Sequence, residues 1–200
     1  IISFIIKVFN YISNKYSQFN WNIVLNSYLR TYINGSVDGL KVGKNLNIKE
    51  TLSINENQGM LRDSKLVFTS PGLNTIYESA YYKTPVFLLP EQNDGQYPNY
   101  LGLESKGYDC GRFLLNEEYK NNKEKSKETN ECKRLSKLVG KIKEKDFPRF
   151  RKKISDFVEE VLLKQNILNK IANNQHKVIM EILENYDSPK FLLKHFLKEI

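Results

Sequence analysis

Residues 66–99 constrain the fold of this chain most, because strand and helix patterns alternate there within a short distance. The pattern predicts, in order, a strand at 66–69, a tight Ser-Pro-Gly turn at 70–72, a helix at 73–82, a strand at 86–89 and an amide-rich loop at 92–96. Strand, helix and strand in succession form a βαβ unit, whose strands lie parallel in one sheet. Anionic nucleotides bind at the carboxyl ends of such strands, beside the N-terminus of the helix. The stretch therefore predicts an α/β fold with a ligand-binding edge.

The remaining chain extends this alternation and then changes to helices. Upstream, apolar periodicity and turn residues predict a helix at 1–18, a strand at 21–29, turns at 34–35 and 38–39, a short strand at 46–48 and a short helix at 57–64. Downstream they predict a helix at 98–106 closed by Gly107, a strand at 111–115, a loop at 117–131, and helices at 132–142, 150–168, 173–186 and from Ser188 onward.

This order of elements predicts both the fold class and the domain organisation. We expect an α/β, Rossmann-like, doubly wound parallel sheet over residues 1–145 and a C-terminal helical extension over 146–200. A sheet of this kind usually opens with a strand, whereas this chain opens with a helix. We therefore expect the first strand, or a whole upstream domain, to be missing before Ile1.

The chain carries a formal net charge of +8, and much of the excess lies in a lysine-rich segment at residues 120–153. Basic proteins bind nucleic acids, membrane surfaces or anionic ligands. The sequence has no zinc-finger spacing, P-loop or aromatic-and-glycine RNA-binding pattern, so we expect no nucleic-acid partner. The lysine-rich segment is interpreted as a solvated surface, and peripheral membrane association stays open.

The cysteines and the N-terminal segment indicate in which cellular compartment the protein is expected. Cys110 and Cys132 lie far apart without a CxxC motif, which favours two free thiols in a reducing compartment over a metal or redox site. The apolar segment 1–9 is too short to span a bilayer and contains Lys7. We therefore expect a cytoplasmic protein without a bound metal.

The turn after the first strand of the stretch has the composition of an anion site. Gly72, between a strand and a helix, lets the backbone approach a ligand closely. The N–H groups of Leu73, Asn74 and Thr75 begin the helix, whose dipole favours a negative charge, and Ser70 adds a hydroxyl donor. A diphosphate fits these donors. A capped helix without any ligand explains the same residues equally well.

Further polar residues lie at or near the same edge. Glu78, in the helix after Gly72, is a carboxylate that can accept both hydrogen bonds of a vicinal diol such as ribose. Asp94 and Gln96 follow the strand that ends before Pro90, and a carboxylate near a carboxamide suits sugar hydroxyls. Taken singly, Glu78 is equally explained as a surface helix residue, and the other two as a polar turn.

The spacing of these residues narrows the interpretation. The residues concerned are Ser70, Gly72, Asn74, Thr75, Glu78, Pro85, Pro90, Asp94, Gln96 and Asn99. Their spacing resembles the C-terminal, donor-binding half of GT-B glycosyltransferases, the broad group that includes UDP-glycosyltransferases and lipid-linked N-acetylglucosamine transferases. In that family (H/S)-x-G-x-N-(S/T)-x-x-E is followed by two prolines and a D-Q-x-x-N loop. The resemblance is tight over residues 64–107 and loose over the rest of 1–115.

The resemblance implies roles for the residues at the turn. Ser70, Gly72 and the backbone of residues 73–75 would hold the donor diphosphate, and Glu78 would bind the ribose hydroxyls. Many members of the family have His where this chain has Ser70. A phosphate contact at that position would then be weaker or lost.

The resemblance also implies roles on the following loop and on the preceding helix. Asp94 and Gln96 would contact the transferred sugar, although one residue is inserted here between the acid and the amide of the family pattern. Asn99 would tie the loop to its helix. Ile54 or Met60 would line the nucleobase pocket.

The activity implied by the resemblance is that of a donor domain in an inverting, metal-independent glycosyltransferase. Its substrate would be a UDP-sugar or a related nucleotide sugar, and it would need no cofactor. In GT-B enzymes the acceptor site and the usual catalytic base lie in an N-terminal domain, so the acceptor and the catalytic residue stay unknown. We expect a missing N-terminal domain or a partner chain to supply them. His176 and His195 are interpreted as ordinary helix residues.

Two alternatives remain at this point. A GT-B-fold nucleotide-sugar 2-epimerase would use the same donor site and release an epimer without any acceptor. A non-catalytic donor-binding subunit would pair with a separate acceptor-binding chain at a membrane. Its basic C-terminal helices would then form the interface.

Overall fold

A computed structural model of the chain describes residues 2–25, 43–118 and 146–185. Its helices are α1 (Ile2–Lys15), α2 (Ile54–Asp63), α3 (Leu73–Tyr81), α4 (Gln96–Glu104), α5 (Leu115–Glu118), α6 (Phe147–Leu162) and α7 (Gln165–Asn185). Its strands are β1 (Trp21–Val24), β2 (Leu46–Lys49), β3 (Val67–Thr69), β4 (Val86–Leu88) and β5 (Gly111–Arg112). The predictions that lie outside the described residues are the turns at 34–35 and 38–39, most of the loop at 117–131, the helices at 132–142 and from Ser188 onward, and the placement of Cys132 and His195.

The described strands form two short parallel sheets. β1 pairs with β2, and β4 lies between β3 and β5, with Val67 opposite Val86 and Phe87 opposite Gly111. The predicted α/β class with parallel strands is therefore confirmed. Aromatic side chains connect the two sheets, because the Phe68 ring of β3 lies 6.2 Å from the Trp21 ring of β1, between ring centroids.

Helices cover both faces of the three-stranded sheet, and β4 shows why. Its residues Val86, Phe87 and Leu88 are all buried, as expected for an uninterrupted apolar run in a central parallel strand. Side chains alternate between the two faces of a strand. Phe87 accordingly packs against α1 and α6, whereas Val86 and Leu88 pack against α3, α4 and α7. The strand ends therefore lie in a three-layer frame that holds them in place.

The C-terminal helices differ from the prediction in their boundary. The structure ends α6 at Leu162 and begins α7 at Gln165, where the sequence predicted one helix through 168 and a second from 173. Leu168 and Ile171 of α7 pack against Val161 of α6, which requires the chain to reverse direction before residue 165. Among the helices described, none combines the length and the apolar character that crossing a bilayer requires.

Other boundaries moved because of local capping. The helix predicted from residue 57 begins at Ile54, since the side chains of Ser53 and Glu56 form a reciprocal capping box. β5 is shorter than predicted because a short helix, α5, takes over at Leu115. Gly107 has a φ of 81°, the left-handed conformation expected of the glycine that closes the preceding helix.

Candidate functional site

The predicted turn and the predicted loop meet at one edge of the sheet. Because β3 and β4 are parallel, residues 70–72 and the loop after β4 leave the sheet on the same side. Two hydrogen bonds join them: the Ser70 hydroxyl donates to the Pro90 carbonyl at 2.7 Å, and the Asn99 side-chain amide donates to the Pro71 carbonyl at 3.3 Å. The turn and the loop are therefore fastened to each other at this edge, beside the N-terminus of α3.

The N-terminus of α3 has no side-chain cap among the described residues. Gly72 is its N-cap, at φ −85° and ψ 125°, and provides no side chain to accept from the first turn. α2 differs, because Ser53 and Glu56 satisfy its first turn. The N–H groups of residues 73–75 are consequently orphan donors of the kind that bind anions.

Neither backbone strain nor packing requires glycine at position 72. Its φ is one that any residue adopts, and a Cβ there would lie 3.9 Å from the Ser70 carbonyl oxygen and 4.0 Å from Nε2 of Gln96. These are ordinary contact distances. The absence of a side chain therefore opens space above the helix N-terminus without serving the fold itself.

Ser70, predicted to contact the donor diphosphate, has its hydroxyl on the loop after β4 in this structure. Its hydroxyl has a single proton, and that proton is used in the bond to the Pro90 carbonyl. It cannot donate to a phosphate at the same time. In this structure Ser70 fastens the turn to the loop, and the donors that remain for an anion are backbone N–H groups.

Gln96 lies beside this helix terminus. Gln96 is buried at the start of α4, and its Oε1 accepts the N–H of Gln92 at 2.6 Å. Its Nε2 lies near Gly72, 4.0 Å from where a Cβ at that position would be. Asp94 is partly buried in the turn before α4. The carboxamide thus shapes the loop and at the same time places an N–H donor beside the uncapped terminus.

Glu78 lies on the side of α3 that faces α2 and is partly buried. Asn57 of α2 donates to its carboxylate at 3.4 Å, and burial raises the pKa of the carboxyl. The two candidates for a nucleobase contact also lie on α2: Ile54 is 68% exposed, and Met60 is partly buried. Glu78 is thus a partly desolvated carboxylate on the side of α3 that faces α2.

Glu78 should make stability depend on pH. Because its pKa is raised in the fold, the folded chain binds the proton more tightly than the unfolded chain, and stability falls as the pH rises from the ordinary value through the raised one. Near pH 8, Glu78→Gln should therefore have a higher free energy of unfolding than wild type, and so unfold at a higher urea concentration. The difference should be less than about 1 kcal/mol, because the side chain keeps some contact with solvent. Near pH 4 the difference should vanish, as urea titrations across about pH 4–8 would show.

Sequence patterns missed two polar residues, one at this edge and one on α2. Glu91, directly after Pro90, is completely buried and accepts backbone N–H groups of Leu115 and Asn116. Asn57 faces Glu78 from another helix. The capping box at Ser53 was a readable signal for the start of α2, but nothing local indicates that Asn57 or Glu91 points inward.

His176 is placed as the sequence predicted, on the side of a helix. Its Nδ1 donates to the carbonyl of Ala80 at 2.8 Å, which joins α7 to the end of α3. That position is at the opposite end of α3 from Gly72. In the described ranges no group of His, Cys, Asp and Glu residues has the arrangement of a metal site.

Comparisons with protein-family models, with curated proteins and with solved structures found no match to this chain. Any assignment of function therefore depends on the chemistry of the edge beside α3. The N-terminus of α3 has uncapped N–H groups beside a carboxamide, and the same helix carries a partly desolvated carboxylate at Glu78. Such a set suits a ligand with an anionic group joined to a polyol.

Proposed function

We propose that this chain is the donor-binding part of a glycosyltransferase of the GT-B type, which binds a UDP-sugar and transfers the sugar to an acceptor. Residues 1–145 would form its Rossmann-like, doubly wound nucleotide-sugar domain, and 146–200 a helical extension of it. The observation that carries the proposal is the uncapped N-terminus of α3 at Gly72, lying beside Gln96 where β3 and β4 both end.

The diphosphate belongs at the helix terminus. Three orphan N–H groups at residues 73–75 and the positive end of the α3 dipole favour a group of high negative charge. Gly72 leaves room for phosphate oxygens to reach the backbone. Ser70 contributes indirectly, because its bond to Pro90 holds the turn in the conformation that exposes these groups.

The ribose and the sugar belong on either side of the diphosphate. Glu78 lies further along α3, and its carboxylate can accept hydrogen bonds from a vicinal diol. Because burial has already removed part of its hydration, binding a diol there costs less desolvation energy. Gln96 and Asp94 approach from the loop after β4, where a sugar linked to the second phosphate would lie. Ile54 and Met60 on α2 then border the base.

Transfer at such a site is mainly electrostatic. The leaving UDP gains negative charge, and preorganised N–H donors at the N-terminus of α3 stabilise it without a metal ion. The sugar is presented for attack from the opposite face, which gives inversion. A preceding domain or a partner chain would supply the acceptor site and the catalytic base.

Glu78→Ala should weaken UDP binding by about 1–3 kcal/mol, because it removes hydrogen bonds to the ribose that a charged acceptor makes. Isothermal titration calorimetry of the chain with UDP measures this directly. Glu160→Ala is the matched control, since Glu160 is an exposed residue on α6 and should leave the affinity unchanged. A chain with no measurable affinity for UDP would contradict the proposed function, and equal affinities of wild type and Glu78→Ala would contradict the role of Glu78.

A further inference from the structure

Glu91 is a buried carboxylate at the edge of the sheet that no step of the proposed reaction uses. It has no exposed surface and is the second residue after Leu89, the last apolar residue of the β4 segment. Removing a carboxylate from water is costly unless hydrogen bonds replace the lost hydration. A turn that merely ends a strand does not need an ionisable residue in such a place.

The carboxylate of Glu91 accepts three hydrogen bonds from the start of α5. Oε2 accepts the N–H of Leu115 at 2.6 Å, and Oε1 accepts the N–H of Asn116 at 3.2 Å and its side-chain amide at 3.1 Å. Both oxygens are therefore used. These bonds fasten the beginning of the loop after β4 to the element that follows β5.

The residues on either side of Glu91 connect it to both halves of the candidate site. The Pro90 carbonyl accepts the Ser70 hydroxyl, and the N–H of Gln92 donates to the side chain of Gln96. A shift of Glu91 would therefore displace Gln96, which is held through Gln92. The N–H groups at the start of α3 belong to a helix that also packs through Ile76 and Ala80, so a shift of Glu91 should move them less than it moves Gln96.

We propose that Glu91 is a positioning residue that sets how tightly the site holds the sugar of the donor, with a much smaller effect on the affinity for UDP itself. This inference rests on the proposed function. Glu91 acts through Gln92 and Gln96, which face the sugar, and does not touch the donor. A residue that merely stabilised the fold would affect UDP and UDP-sugar alike.

The test compares two affinities in one variant. Glu91→Gln keeps the size of the side chain but turns an NH2 group toward the N–H of Leu115 or toward the two donors of Asn116, so at least one bond is lost and the loop should shift. Wild type and variant are titrated with UDP and with a panel of UDP-glucose, UDP-galactose and UDP-N-acetylglucosamine. For the panel member that wild type binds best, the ratio of the Kd for UDP to the Kd for the UDP-sugar should fall at least about five-fold, with the Kd for UDP within about two-fold of wild type.

Two further variants keep the test decisive. Glu117→Gln is the matched control, because Glu117 of α5 pairs with Arg112 at 3.0 Å and its side chain hydrogen-bonds no described residue of the loop, so its ratio should equal that of wild type. If Glu91→Gln does not fold, Asn116→Ala removes one of the three bonds and should lower the ratio by a smaller factor in the same direction.

Three results would overturn the inference while leaving the UDP site in place. One is an equal loss of affinity for UDP and for the UDP-sugar in Glu91→Gln. Another is a change of ratio in Glu117→Gln as large as that in Glu91→Gln. The third is a wild-type chain that binds UDP but no member of the panel differently from UDP, since no sugar contact would then exist to position. A wild-type chain that does not bind UDP at all would instead overturn the proposed function.

Discussion

Gly111→Ala is expected to destabilise the fold by about 1–3 kcal/mol or more, because the new methyl group has no room. A Cβ at this position would lie 2.4 Å from Cδ2 of Phe157 and 2.6 Å from Cδ2 of Phe87. The two rings already pack edge to face, with centroids 5.0 Å apart. Phe87 cannot retreat, since its other side is against Phe68 of β3 at 5.4 Å between centroids. β5 or α6 would have to move outward.

Gly102→Ala is the control for this substitution. Gly102 lies on the exposed side of α4, where a Cβ would meet nothing within 4 Å. Alanine in a helix interior is favoured over glycine by roughly 0.5–1 kcal/mol, so this variant should be more stable than wild type. Urea unfolding of both variants gives the comparison. Equal stability of Gly111→Ala and wild type would mean that α6 does not pack on β5 as described.

Gln175→Ala is expected to cost about 2–4 kcal/mol, because it leaves buried backbone groups without partners and opens a cavity. Gln175 of α7 is completely buried. Its Nε2 donates to the carbonyls of Asp109 at 2.7 Å and Val86 at 3.2 Å, and its Oε1 accepts the N–H of Val86 at 2.9 Å. One side chain thus completes the start of β4 and the approach to β5.

Gln175→Leu separates the two causes, since leucine fills most of the volume but cannot form hydrogen bonds. We expect it to recover only part of the loss. Asn173→Ala, an exposed position on the same helix, should be nearly neutral. Because α7 packs on one face of the sheet, the helix and the sheet should unfold together. Each variant should therefore shift a single cooperative urea transition monitored by far-UV circular dichroism. A separate early transition in Gln175→Ala would show instead that the C-terminal helices unfold on their own.

The βαβ unit could be predicted from sequence because its signals are local and agree with one another. Proline bounds the apolar run of β4 on both sides, and a run without alternation indicates a strand buried on both faces. Gly72 after β3 indicates the turn, and Gly107 indicates the end of the next helix. Since strand direction follows from this order, the meeting of the turn and the loop at one edge could also be predicted.

The features that could not be predicted depend on contacts between residues distant in sequence. Gln175 is one polar residue among several on α7, and only its contact with Val86 distinguishes it from Asn173. Glu91 is equally ordinary in sequence, and its burial depends on α5. The break between α6 and α7 was misplaced because apolar periodicity continues across residues 163–164, and the reversal depends on packing against Val161.

The proposed diphosphate site at the N-terminus of α3 is tested most directly by a crystal structure of the chain grown with UDP at a concentration that saturates it in solution. We expect the diphosphate at the N-terminus of α3, with phosphate oxygens within about 3 Å of the backbone nitrogens of residues 73–75 and the ribose hydroxyls on Glu78. UDP bound at any other surface, or a saturating titration whose crystals show the N-terminus of α3 without it, would contradict the account.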